Sequence, residues 1–469
     1  MAAKRALIAT DVDRTILAQI NEENFIFSRG IGHELIRLVD NGFYVAFITG
    51  NSMEELTDRL LKFLVEELCH TNQPGLIGNF HFFCNAGGVY FHFEEQSDRI
   101  KDLINRSDQQ ELSKKVMNIL TCSSSAKKNS LSVLPEFIDA GYLKKTRMPE
   151  DEIEVIKEIL NNQADVYFSE INKKRAKLNN IYDLSNENIT NITDNSLLKP
   201  CVEERPIHYM DNCSPQTAIV QLTLKPILSY QYGKDKEQSK LFENDYRTSL
   251  VKKIQSQLDR KGLRHYVVRP GGRSSIDVTF AKLDKAYALE FIIDRLNLQG
   301  QERLGQRFGS NTIYFGDEVI VGCGNDYPVT RIPGLLTFAV NRDNTKIPLL
   351  SHVFVPSITV QEVGATEIIL RILNDIVKKQ NPEDNNSRSV LEVFKEELFK
   401  ERIIKKLNTK TNLRAHNWQT LNALVSLMCR EDESAKRWLE ILVDELDNIM
   451  INLSNRSYQS AYGTSHLDA

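Results

Sequence analysis

Asp11-Val-Asp13-Arg-Thr15 follows directly on the apolar run Ala6-Leu-Ile-Ala-Thr10. Along an extended backbone two acids one residue apart point the same way. At the carboxyl end of a strand they lie where open α/β sheets bind their ligands. One carboxylate can then attack while the other moves a proton. Taken alone, the pair also reads as a solvated opening to a loop. Thr49-Gly50-Asn51-Ser52 closes a second apolar run, Val45-Ala-Phe-Ile48. A hydroxyl and backbone amides at a helix start form an anion site, although Thr or Ser there is more commonly a plain helix cap. Lys285 opens a helix in Lys282-Leu-Asp-Lys285, where it can reach a phosphate or hold a nucleophile's charge; a solvated surface lysine is the competing reading. Farther on, Asp317 closes the run Thr312-Ile-Tyr-Phe315, and Gly324-Asn325-Asp326 follows in a glycine-punctuated loop. Singly, these two segments are ordinary turns. Asp11, Asp13 and Asp317 together would carry an excess of negative charge that calls for a cation, and hard oxygen donors suit magnesium.

The elements that must position these side chains follow from periodicity. Ala6–Thr10, Phe43–Ile48, Phe80–Cys84, Thr312–Phe315 and Leu336–Val340 read as buried strands. Helices fall between them at Ile31–Asn41, stopped by Gly42, and at Met53–Leu68, where Ser52 and Glu55 form a capping box. Alternation of strand and helix over the first seventy residues predicts a doubly wound parallel sheet. Asn85-Ala-Gly-Gly88 reads as a turn into the alternating segment Val89–Phe93. Residues 97–280 change character: helices at Gln109–Leu120, Glu150–Leu160 and Lys240–Lys261, strands at Ala218–Leu224, Leu263–Val268 and Ser275–Phe280, and an asparagine-rich stretch at Lys177–Asn195. This block predicts an inserted α+β unit. Lys285–Leu298 returns to helix, and after Thr359 the chain is almost wholly helical, with a linker at Lys378–Ser389 and amphipathic segments around Val390–Leu407 and Trp418–Ile451. The expected division is therefore a core of residues 1–96 and 281–358, a cap of 97–280 and a helical extension of 359–469.

Composition narrows the function classes. The 469 residues exceed what one core usually supports. Hydrophobic content of 41% and charged content of 26% exclude disorder as the dominant state. A net charge of −4 argues against a bulk nucleic-acid binder. Seven scattered cysteines without a CxxC pair predict reduced thiols and no structural zinc. Neither a signal-peptide core nor a membrane span is visible, so a cytoplasmic location without membrane partners is expected. No GxxxxGK[ST] occurs, which removes P-loop kinases and NTPases.

The set Asp-Val-Asp-x-Thr, Ile-Thr-Gly, Asp-Lys and Gly-Asp…Gly-Asn-Asp resembles the four motifs of the haloacid dehalogenase superfamily over roughly residues 4–358. Within it the chain is most similar to the branch with a large α+β cap inserted after the third core strand, which includes phosphomannomutase and sucrose phosphatase. Arg269-Pro-Gly-Gly-Arg-Ser-Ser275-Ile-Asp277 resembles the phosphomannomutase cap segment. The resemblance implies Asp11 as the nucleophile that becomes aspartyl phosphate and Asp13 as general acid/base. It implies Thr49 and Lys285 on the phosphoryl oxygens, with Gly50 and Asn51 beside the substrate. Magnesium would be held by Asp317, Asp11 and the backbone carbonyl of Asp13, with Asn325 and Asp326 supporting; Arg269, Ser275 and Asp277 would touch the sugar end. Arg14 departs from the pattern, standing where the family usually has glycine.

A magnesium-dependent phosphatase acting on a small phosphorylated molecule, a sugar phosphate first among them, is the function expected. A sugar phosphomutase of the phosphomannomutase type is the alternative, and it demands cap groups for both ends of a bisphosphorylated intermediate. A reading from another class is a scaffold or effector-like protein that binds a partner through its helical tail, with or without phosphoprotein phosphatase activity. There Trp418, Leu421, Leu424, Leu427 and Met428 make an apolar stripe, which ordinary core burial also explains.

Overall fold

The computed structural model describes residues 6–19, 25–104, 109–124, 130–181, 201–225, 247–271, 275–298, 311–320, 324–340, 353–354 and 362–379. The chain opens with β1 (Leu7–Thr10), a short hairpin of β2 (Leu17–Gln19) and β3 (Phe25–Phe27), then α1 (Arg29–Asp40) and β4 (Tyr44–Ile48). Next come α2 (Met53–Leu56), a wide π turn at Thr57–Leu61 and α3 (Lys62–His70), then β5 (Phe80–Cys84) and β6 (Val89–His92). After these follow α4 (Ser97–Ile104), α5 (Gln109–Leu120), the hairpin β7 (Thr121–Ser123) and β8 (Leu131–Val133), and α6 (Ala140–Thr146). The inserted region continues with α7 (Glu150–Ile181), β9 (Cys201–Asp211), β10 (Ser214–Lys225), α8 (Arg247–Arg260), β11 (Tyr266–Gly271) and β12 (Ser275–Phe280). The chain then returns through α9 (Lys285–Arg295), β13 (Thr312–Gly316), β14 (Leu336–Ala339), β15 (Val353–Phe354) and α10 (Glu362–Lys379).

Seven strands form one sheet in the order β15-β14-β13-β1-β4-β5-β6, parallel except for β6, which runs antiparallel to β5. The first strand of the chain thus lies in the middle, with Leu7 opposite both Thr312 of β13 and Tyr44 of β4. Alternation along β1 splits its side chains between two apolar layers. Ile8 joins the layer containing Leu35, Leu38 and Leu64, while Leu7 and Ala9 join the one containing Leu289 and Ile292 of α9. Both faces are covered, which is why these strands read as continuous apolar runs. Each fully buried aliphatic side chain stabilises the sheet by about 1.5–3 kcal/mol.

The second sheet is antiparallel, β11-β12-β10-β9. One face packs Leu222, Leu224, Ile276 and Val278 against Ile156 and Leu160 of α7 and Ile254 and Leu258 of α8. The other face turns toward the seven-stranded sheet: Ile207, Tyr209, Ala218 and Val220 belong to the same apolar cluster as Phe82 and Phe91. This is the doubly wound core with an inserted antiparallel cap that the sequence predicts. Ile100, Leu112, Val116 and Leu120 pack in the core's own cluster, and the cap's separate cluster begins at Met148.

Several elements differ from expectation. The polar loop after Asp13 contains the β2–β3 hairpin. The 11-residue β9 escaped the periodicity reading because its Glu-Glu-Arg-Pro stretch interrupts alternation. Helix α7 runs 32 residues, well beyond Leu160 and into the asparagine-rich stretch, whose remainder lies outside the described residues. The first part of the helical extension, α10, packs on α1 through Ala365, Ile369, Leu370 and Leu373, which join the core cluster. The expected helices around 390–407 and 418–451, with the Trp418 stripe, lie outside the described residues. Among the described residues no helix is long and apolar enough to cross a membrane.

Candidate active site

Parallel pairing brings distant residues to one edge. Asp11 follows β1, Thr49 follows β4, Asn85 follows β5 and Asp317 follows β13, all at the carboxyl ends of adjacent strands. The backbone is locked there: the Asp11 amide donates to the Phe315 carbonyl at 2.8 Å, and the Thr49 amide to the Phe83 carbonyl at 3.0 Å. Beyond Asp11 the chain turns tightly, with the amides of Ile16 and Leu17 both donating to the Val12 carbonyl.

Lys285 is the first residue of α9, whose preceding Asp284 caps the helix by accepting from the Tyr287 amide at 2.9 Å. The lysine is 3% exposed, and its Nζ lies 2.7 Å from Asp11 Oδ1 and 2.6 Å from Asp326 Oδ1. Asp326 is wholly buried and further held by the Tyr314 hydroxyl at 2.5 Å and the Glu318 amide at 2.8 Å. Gly324 permits this loop to close, because a Cβ there would collide with the Glu318 carbonyl. Asp317 completes the cluster: carboxylate oxygens of Asp11, Asp317 and Asp326 lie within 4.8 Å of one another.

Two buried acids, Asp11 and Asp326, share the buried lysine with half-buried Asp317 beside them, and the remaining negative charge shows in the proton affinities of Asp11 and Asp317. Burial, with the nearby carboxylates of Asp326 and Asp13, pushes Asp11 up to about 7 against the pull of Lys285. Burial and the charges of Asp11 and Asp326 raise Asp317 well above the usual carboxylate range. Lys285 is held charged: burial works against its ammonium, but the two carboxylates outweigh it and raise its pKa. An all-oxygen donor set short of positive charge fits a divalent magnesium ion. Asp11 and Asp317 would hold it, while both Asp326 oxygens are already engaged by Lys285, Tyr314 and Glu318.

Asp13 stands apart from the three-carboxylate cluster, half-buried, and accepts a 3.3 Å hydrogen bond from Asn51 Nδ2. Burial raises its carboxyl pKa although the Asn51 bond opposes this, which suits a group that holds and releases a proton. Thr49 is buried and its hydroxyl accepts from the Asn51 amide at 3.1 Å, orienting the Thr49-Gly50-Asn51 loop; Gly50 is exposed. Ser52 and Glu55 form the expected capping box at α2.

The remaining expected site residues sit elsewhere. Asn325 is exposed beside the buried Asp326. Arg269 braces the chain between cap and core: its guanidinium donates to the Leu283 carbonyl at 2.7 Å, the Ala281 carbonyl at 3.2 Å and the Thr279 hydroxyl at 3.0 Å. These contacts hold the return to Lys285. Asp277, opposite Thr223 in the cap sheet, accepts from the Thr223 hydroxyl at 2.8 Å, and Ser275 lies on the same strand. Sequence reasoning missed Tyr314, whose hydroxyl anchors Asp326; its place in the Thr312–Phe315 run masked it as a core aromatic.

The sequence matches no protein-family profile and no curated protein. Solved structures resemble the chain more remotely. An N-terminally truncated IMP-nucleotidase of Plasmodium falciparum aligns with 71% of this chain and 66% of its own, at 13% identity and a TM-score of 0.39. The chain therefore spans a little under two thirds of that nucleotidase's length. The sucrose-phosphatase of Synechocystis, solved with sucrose and phosphate, aligns with 80% of this chain and 98% of its own at 13% identity and 0.37. A haloacid dehalogenase-like hydrolase of Bacteroides thetaiotaomicron aligns with 79% and 100%, at 14% identity and 0.38.

Proposed function

We propose that this chain is a magnesium-dependent phosphatase of the haloacid dehalogenase type, cleaving a small phosphorylated molecule through an aspartyl phosphate on Asp11. The observation that carries this reading is Lys285 Nζ held between Asp11 and Asp326 at 2.7 and 2.6 Å, with Asp317 in the same cluster. Four side chains separated by up to 315 positions in sequence converge on one spot at the ligand-binding edge of the sheet.

In the cycle we propose, an Asp11 carboxylate oxygen attacks phosphorus and the ester oxygen leaves. Asp13 gives its proton to that departing oxygen, so the product leaves as a neutral alcohol. Asp13, now a carboxylate, takes a proton from water as the water attacks the phosphorus of the aspartyl phosphate. Inorganic phosphate departs and Asp11 is restored. Lys285 and the Thr49 hydroxyl with its loop amides neutralise and orient the phosphoryl oxygens. Asp11 and Asp317 would hold magnesium, which supplies the positive charge that lets an anionic carboxylate approach an anionic phosphate. Sugar phosphates head the substrate class.

The test is hydrolysis of p-nitrophenyl phosphate by purified protein with and without magnesium. Turnover should need magnesium and vanish in Asp11→Asn with the circular dichroism spectrum unchanged. Activity surviving in that variant would refute the assignment, and no activity in the parent protein would favour a binding role.

A further inference from the structure

Two buried amide side chains lie idle at the seam between cap and core. Asn85, in the turn after β5, is 1% exposed, and neither its Oδ1 nor its Nδ2 finds a partner. Gln221 of β10 is 2% exposed; its Nε2 donates to Thr223 Oγ1 at 3.0 Å, while its Oε1 is unpartnered. An unsatisfied buried polar atom costs about 1–3 kcal/mol, so each calls for an explanation.

Their placement supplies one. The Asn85 turn sits on the rim of the Asp11 site: its amide donates to the Asn51 carbonyl at 2.8 Å, and the Ala86 amide to the Thr49 carbonyl at 3.0 Å. On its other side Gly87 faces the Asp284 carbonyl, just before Lys285. The cap meets this turn at Val220, whose Cβ would lie 3.1 Å from a Cβ placed on Gly88.

Gln221 reaches the same seam because of a β-bulge. Between Ile219 and Leu222 strand β10 advances three residues while β9 advances two, from Pro206 to Glu204. Val220 and Gln221 therefore oppose the single residue Arg205, and such a bulge re-aims a side chain. Leu222 and Leu224 face the cap's interior, so Gln221 and Thr223 face the other way, toward the core. Arg205 shares its face of β9 with Ile207 and Tyr209, which pack in the core cluster. Its charge is felt at Cys84, the residue before Asn85, where it opposes the upward push of burial on the thiol. Among the described residues Arg205 has no ion-pair or hydrogen-bond partner.

We propose that Asn85, Gln221 and Arg205 form the recognition patch for the leaving group, and that this group is rich in hydroxyls. This rests on the phosphatase reading above. The patch offers acceptors at Gln221 Oε1 and Asn85 Oδ1 and donors at Asn85 Nδ2 and Arg205. A second phosphate could use only the donors, and an aryl group neither. A hydroxyl both donates and accepts, so neighbouring hydroxyls, as on a sugar ring or ribose, match both kinds of atom. Substrate entering the seam would satisfy groups that the free protein leaves unpaired.

The experiment compares kcat/KM for p-nitrophenyl phosphate with that for hexose 6-phosphates and ribonucleoside 5′-monophosphates, in the parent protein, Gln221→Met and Arg205→Met. The parent should prefer at least one hydroxylated ester, and each variant should lower the ratio of that ester to the aryl ester about tenfold or more. Gln221→Glu, which keeps an acceptor, should recover part of the ratio. Arg205 is half-buried, so its variant serves if Gln221→Met fails to fold. An unchanged ratio in the folded variants overturns the proposal. So does a parent that cleaves the aryl ester yet prefers none of the hydroxylated ones. A parent that cleaves nothing removes the phosphatase reading and this proposal together.

Discussion

Arg14 occupies a left-handed backbone position, φ 59°, in the turn that follows Asp11 and Asp13. A residue with a Cβ is strained there by roughly 1–2 kcal/mol, and glycine is not. Something must favour arginine, and its guanidinium lies 3.6 Å from Asp317 Oδ2, part of the charge the cluster lacks. The arginine would therefore compete with a metal for Asp317. Arg14→Gly should relieve the backbone and lower the magnesium concentration needed for half-maximal hydrolysis, by roughly fivefold if the partly screened pair contributes about 1 kcal/mol. Titration of activity against magnesium measures this, and a higher requirement would show that Arg14 assists the cation instead. At this scale the sequence was most legible where a polar residue coincides with a strand end or a helix start, as at Asp11, Thr49 and Asp317 after their strands and Lys285 at the head of α9. It did not show that Arg269 braces two carbonyls, because such an arginine looks the same in sequence as one that reaches a ligand. Asn85 was legible only as part of a turn, and Gln221 and Arg205 were not legible, since only pairing across β9 and β10 places those two opposite each other.

Among the elements, strands buried on both faces were readable from apolar runs alone: β5 and α5 carry the expected bounds. Among the strands lost were those whose identity depends on a partner, β9 and the hairpins β2–β3 and β7–β8, and the short helices α4 and α6 were lost with them. Helix α10 shows how much one polar contact can fix. It lies on α1, and its buried Asn374 donates from Nδ2 to both the Glu34 carbonyl at 2.9 Å and Glu34 Oε2 at 2.7 Å. Arg37 also donates to the carboxylate of the 5%-exposed Glu34, at 2.9 Å. The apolar residues Ala365, Ile369, Leu370 and Leu373 at helical spacing explain why α10 packs, but a stripe alone lets a helix slide or rotate. The Asn374 amide sets the register. Asn374→Leu should cost about 1–3 kcal/mol by removing one donor from the buried Glu34 carboxylate and from its carbonyl. Urea unfolding followed by circular dichroism measures it, and a loss below about 0.5 kcal/mol would mean that apolar packing alone docks this helix.

For the whole molecule, the order of strands in the central sheet decides whether there is a site at all. Asp11 and Asp317 are 306 positions apart, yet β1 and β13 are neighbours with Thr10 opposite Phe315. The chain makes this pairing only after the entire cap has been inserted, so the folded core contains a concentration of negative charge that the unfolded chain does not. Folding without a cation therefore works against repulsion among Asp11, Asp317 and Asp326, relieved among the described residues by Lys285, by Arg14 and, at Asp326, by the Tyr314 hydroxyl and Glu318 amide. A cation that binds the folded cluster and not the dispersed aspartates should stabilise the protein by mass action, about 2.7 kcal/mol at a hundredfold excess over its dissociation constant. Asp317→Asn separates this from general salt effects, because it removes one repelling charge and one ligand together. Without magnesium the variant should melt above the parent protein; with magnesium the order should reverse, because only the parent gains. The comparison uses thermal melts in EDTA and in millimolar magnesium at fixed ionic strength. Equal magnesium shifts in the two proteins would place the cation elsewhere, and a variant less stable in EDTA would mean that Asp317 is held by attraction to Arg14 more than it is repelled by its neighbours.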